Sequence, residues 1–214
     1  MPELRTDRAI QWDPMTEPSV TAQALIAAQR EANAAIADAR TAQLRRMVPL
    51  ALELGAALSS DLRRFAELSV QLGAAPLAEC LLDLPLSLAN AHETESALAV
   101  ARAFEFLAPD KLRGDRAIIL AQAGSRDEAV ALVAENLAQA EDRALAEAKA
   151  GDAYRALQEE DAAEAYYRRS LAESKTPFER SEAVLRIVSL LSDTGRVQDA
   201  ARFLAEARKH TESG

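Results

Sequence analysis

Three stretches of this 214-residue chain repeat one another: GSRDEAVALV, QEEDAAEAYY and GRVQDAARFL align on Ala129, Ala163 and Ala200. The first spacing is 34 residues and the second 37, so three extra residues are expected in the connection before the third unit. A period in this range means one supersecondary unit copied along the chain. Each copy carries two helical apolar patterns joined by a short turn. A lone pair of this kind cannot bury its apolar faces, so neighbours must stack. The expected fold is all-α, an antiparallel helical-hairpin solenoid. Composition agrees: hydrophobic residues make up 49% but aromatics only 4%, with 7 Gly and 8 Pro. The apolar mass is therefore mostly Ala and Leu, which favour helix.

Local chemistry sets the expected boundaries. Ser125-Arg126-Asp127-Glu128 reads as a capping box, in which the serine oxygen and the glutamate carboxylate each accept from an orphaned backbone N–H. Thr176-Pro177-Phe178-Glu179 is a second start, with proline where no donor is missed. Gly124 and Gly195 suit left-handed helix ends.

The best unit, Ala144 to Pro177, has Gly151 at a small site, Tyr154 one turn later, Ala163 at the second helix's docking site, then Tyr167 and Ser170. The preceding unit has Ala117, Leu120, Ala129, Val133 and Asn136 at these sites, and the following one Val188, Leu191, Ala200, Leu204 and Ala207. This pattern resembles the tetratricopeptide repeat (TPR) family over about half the chain. The family's usual early Trp is absent: Arg113, Glu147 and Val184 stand there, and Pro177 falls two residues late. The resemblance implies an α–α superhelix that binds a peptide or helix along a concave groove. Carried over residue by residue, that groove is Ile118, Ala121 and Gln122, then Leu145, Ala148, Asp152 and Arg155, then Glu182, Leu185, Ser189 and Ser192. Ala148 and Asp152 replace the family's clamp for a terminal carboxylate, while Ile118, Leu145 and Leu185 suit an apolar partner. The N-terminal helix of the same chain is the competing occupant.

The rest of the chain reads more simply. Residues 1–18, with Pro2, Pro14 and Pro18, are expected as an irregular arm in which Trp12, Ile10 and Met15 tuck against the body. Residues 19–47 lack Gly and Pro, and Val20, Leu25, Ala28, Ala32, Ile36, Ala39 and Leu44 recur at helical spacing, which predicts one long Ala-rich helix. Residues 48–108 read as degenerate hairpins with breaks near Pro49, Ser59-Ser60, Gly73 to Pro76, Pro85 and Pro109. Three repeat hairpins occupy 109–210, and 211–214 is a tail.

The net charge of -9 argues against a nucleic-acid partner, which requires a basic face. Cys80, the only cysteine, lies in an apolar run and is expected buried and inert. Met1 to Trp12 lacks an apolar leader core and no apolar stretch is long enough to span a bilayer, so no membrane insertion and a cytoplasmic location are expected. Heavy Ala and Arg usage suits a GC-rich bacterial genome. His92 and His210 lie outside any HExxH pattern, and phosphate-binding or dinucleotide glycine motifs and the G-x-S-x-G elbow do not occur. No catalytic residue, cofactor or metal is expected. The functional expectation is a non-enzymatic scaffold for a protein or peptide partner. Its alternatives are a homo-oligomer built through the N-terminal helix and a helical enzyme with a site that carries no motif.

Overall fold

The computed structural model describes residues 17–35, 37–72 and 75–212, with residues 17, 37, 38, 75 and 209–212 described by backbone alone. Among the described residues every regular element is a helix. The chain forms two compact units, residues 1–81 and 82–214.

The first unit begins with α1 (Glu17–Ala34) and α2 (Ala37–Leu58). The single helix expected over 19–47 is therefore two helices. They pack along each other, and the Thr21 hydroxyl donates to Glu53 Oε1 at 3.3 Å. A thin Ala-rich stripe explains the reversal. Most helical stability in a protein comes from packing of the apolar face, and folding back buries Leu25 and Ala32 on α1 together with Leu44, Met47 and Leu54 on α2. The helix also claims Glu17 and Pro18 from the expected arm. Trp12, Ile10, Met15 and Ile36 lie outside the described residues.

Two expected breaks are absent, because Pro49 lies inside α2 and Pro85 inside α4 (Ala75–Asn90). Each proline removes one helical hydrogen bond. Buried neighbours on both sides, Met47 and Ala51 in one case and Leu84 and Leu88 in the other, hold the helix through it. The serine pair does break the chain: Ser59 and Ser60 both take positive φ, and Asp61 then caps α3 (Leu62–Gln71) by accepting from the N–H groups of Arg63 and Arg64. Cys80 is buried as expected.

The second unit continues with α5 (Thr94–Phe104), a short 3-10 turn (Glu105–Leu107), α6 (Pro109–Gln122), α7 (Arg126–Gln139), α8 (Arg143–Ala156), α9 (Glu160–Glu173), α10 (Pro177–Asp193) and α11 (Val197–Glu212). From α6 onward the helices pair in order, and each internal turn contains one left-handed residue: Gly124, Gln158 or Gly195. The Thr176–Glu179 capping box forms. The Ser125 one does not, because Ser125 sits at ψ 63, outside the extended geometry that aims a capping oxygen at the helix N–H groups.

Most of the aligned small and aromatic positions are buried, with Tyr154 and Ala207 partly so. Ala129, Ala163 and Tyr167 are fully so, and Tyr154 packs against two successive core clusters, one around Ala117 and Val133, the other around Tyr167 and Ile187. A hydrogen bond recurs with the period: Asn136 Nδ2 donates to the Asp110 carbonyl at 3.1 Å, and Ser170 Oγ donates to the Ala144 carbonyl at 2.8 Å. Each ties the end of the second helix to the start of the first. The three extra residues are not in a connection. α10 has 17 residues where α8 has 14, so they form an added turn at its N-terminus.

Candidate functional site

The expected groove is made by the first helix of each pair, and the two junctions between those helices differ. At α6–α8 the helices are closely packed. A Cβ added to Gly114 would lie 2.5 Å from Lys149 Cβ, so only glycine fits. Lys149 Nζ lies 2.5 Å from Asp115 Oδ1, and Lys111 Nζ lies 2.9 Å from the other carboxylate oxygen while also donating to the Leu82 carbonyl. Asp115 is fully buried, so its two lysines supply the countercharge that a buried carboxylate requires. Ile118 and Ala121 are buried and offer no groove surface here.

At α8–α10 the equivalents of Gly114 and Lys149 are Ala148 and Arg186, and a cleft of about 300 Å3 opens between the helices. Leu145, Ala148 and Glu182, which the sequence assigns to the groove, line it. So do Phe178 and Glu179 from the added turn of α10, and Arg186. Phe178 is 75% exposed. The cleft's charged groups are engaged. Asp142 Oδ1 accepts from the Leu145 N–H at 2.9 Å. The Glu179 carboxylate accepts from the N–H groups of Lys175 and Thr176, and the Lys175 contact foremost holds its carboxyl below the ordinary value. Burial opposes the charge of Arg186, but Asp152 at 3.4 Å and Glu182 at 3.1 Å outweigh it and raise its pKa.

The remaining groove assignments scatter. The Asp152 carboxylate accepts from the Tyr167 hydroxyl at 2.8 Å; burial, then this carboxylate, pushes the phenol well above its usual range. Arg155 pairs with Asp193, which also accepts from Ser189 Oγ. Gln122 and Ser192 are exposed at helix ends. Leu185, 59% exposed, lines a different groove of about 430 Å3 along α10 and α11.

Phe178 and Arg186 were not legible as cleft residues, although the Thr176–Glu179 box and Gly195 together mark the length of α10. Two of the three positions where the resemblance expects Trp hold buried charge, and the third holds the buried Val184. Glu147 pairs with Arg143 at 2.6 Å and Arg169 at 3.0 Å, and Arg113 pairs with Glu105 at 3.1 Å. His92 is exposed in the turn before α5, with positive φ; the His210 side chain lies outside the described ones. Among the described residues no cluster of His, Cys, Asp or Glu is arranged to hold a metal ion, and no single helix is long and apolar enough to cross a membrane. No family model matches the chain, and no curated protein matches its sequence.

Proposed function

We propose that this protein is a non-enzymatic interaction scaffold of tetratricopeptide-like hairpins, which holds a short apolar peptide or helix of a partner protein in the cleft between α8 and α10. The observation that carries this reading is the contrast between the two junctions. The α6–α8 contact is filled by Gly114, Lys149 and Asp115, whereas the α8–α10 contact leaves a cleft floored by Ala148 and walled by Leu145 and the exposed Phe178. A non-catalytic role draws support from the carboxylates and guanidinium there, which cap helices or pair with one another. Self-assembly through the N-terminal helix draws less, because Leu25 and Ala32 are buried within the first unit.

Peptides selected from a random display library on the full chain provide the test. Selected peptides should lose at least about tenfold in affinity, roughly 1.4 kcal/mol, on Phe178→Ala or Ala148→Glu, with the helical circular dichroism unchanged. Selected peptides that bind both variants as they bind the parent would refute the cleft assignment.

A further inference from the structure

A second surface carries an inference that does not depend on the cleft. In the first aligned hairpin, α8 sits on three residues: the Asp110 carboxylate accepts from the N–H groups of Glu141 and Asp142 at its start, Gly114 abuts Lys149, and the Leu137 carbonyl accepts from Arg143. Their aligned counterparts in the third hairpin are Ser181, Leu185 and Arg208, and all three line the groove of about 430 Å3 on α10 and α11. A groove thus lies at the place where the earlier hairpin receives a helix, with Leu185 where Gly114 stands and with Phe203 and Leu204 also in its lining.

Charge identifies the occupant. In this unit, guanidinium groups from Arg113 to Arg202 are held in carboxylate pairs, with Arg180 outside that pattern. Among the described residues of this unit Arg102, Arg180 and Arg208 have no such pair, and two of these three line the groove. Glu206 shares that lining, which stays net positive. We propose that the α10–α11 face docks an amphipathic α-helix of another protein, which packs its apolar stripe on Leu185, Phe203 and Leu204, farther from α10 than α8 is from α6, with carboxylates flanking the stripe to meet Arg180 and Arg208.

The probe is a synthetic helix of the length of α8, 14 residues, with a leucine stripe flanked by glutamates, compared with the same peptide carrying lysines. The chain's net charge of -9 favours the lysine peptide everywhere except at a specific basic site. At low salt the glutamate peptide should bind saturably and about fivefold tighter than the lysine peptide. The double variant Arg180→Glu, Arg208→Glu should reverse that order. Leu185→Asp should abolish binding, and since Leu185 is exposed the variant retains its helical spectrum. Phe178→Ala, which tests the α8–α10 cleft, should leave glutamate-peptide binding unchanged. Absence of saturation, equal affinity for the two peptides, or undiminished binding to Leu185→Asp would overturn the proposal. So would sedimentation showing a dimer of the parent that Leu185→Asp dissociates, because the occupant would then be a second copy.

Discussion

Gly114 faces Lys149 so closely that a Cβ on the glycine would lie 2.5 Å from the lysine Cβ and 2.7 Å from its Cγ. The conflict involves the root of the lysine side chain, which no rotamer change moves. Gly114→Ala therefore has to push α6 away from α8. Overpacking of this kind costs roughly 1–3 kcal/mol, and the helix propensity gained by removing a glycine returns about 1 kcal/mol. Urea unfolding should show a net loss of about 1 kcal/mol. An alanine variant as stable as the parent would mean that the junction is looser than described.

The same junction holds a fully buried carboxylate between two ammonium groups, and the arrangement is asymmetric. Lys149→Met leaves Asp115 with Lys111 at 2.9 Å, so the remaining pair stays neutral. Asp115→Ala leaves Lys149, whose side chain is 8% exposed, without its partner. Stranding a buried charge costs about 3–5 kcal/mol, while replacing a partner with an apolar side chain of similar length costs far less. Equilibrium unfolding should rank Asp115→Ala well below Lys149→Met. The reverse order would show that the carboxylate depends on Lys149 and that Lys111 alone does not satisfy it.

Tyr167 supplies an alkaline signature. Burial first, and the neighbouring Asp152 carboxylate second, raise its pKa above the unfolded value of about 10. A group whose pKa is raised by folding contributes stability that is complete below the unfolded pKa and is lost as pH rises towards the folded one. The parent should lose stability above about pH 10, and Tyr167→Phe should lose less over the same interval. At neutral pH the phenylalanine variant should already be less stable by about 1–2 kcal/mol through the missing hydrogen bond to a charged acceptor. Parallel alkaline profiles for the two proteins would remove Tyr167 as the titrating group.

What was legible in the sequence is the part governed by period and size. Ala129, Ala163, Ala200 and Tyr167 are buried because a 34-residue repeat places small and aromatic side chains where helices touch. Thr176 caps its helix because Pro177 and Glu179 leave it one geometry. Three features were not legible. A helix of Ala-rich composition and a pair of such helices share one pattern, so the reversal near Ala35 has no local mark. The three extra residues could lengthen a loop or a helix, and only the packing of Phe178 and Glu182 beside Leu145 decides for α10. Buried charges such as Asp115, Glu147 and Arg113 read as surface residues, since their partners lie on other helices or on the same helix with no apolar signal.

Glu164 gives the corresponding acid-side prediction. Its carboxylate accepts from Arg168 at 2.6 Å on its own helix and from Arg196 at 2.6 Å before α11, tying α9 to the final pair. Burial on its own would raise the carboxyl pKa, but the two guanidinium groups outweigh it and the net shift is downward. A depressed folded pKa contributes stability that is present above the unfolded value, about 4.3 for glutamate, and is lost as pH falls through the folded value. Glu164→Gln should therefore cost about 1 kcal/mol at neutral pH, a partly exposed pair of ion pairs being worth no more. Below about pH 4 the gap between variant and parent should close as the parent's carboxylate protonates. A gap that stays constant from neutral to acid pH would show that the loss comes from packing, and that the carboxylate's charge does not hold Arg196 in place.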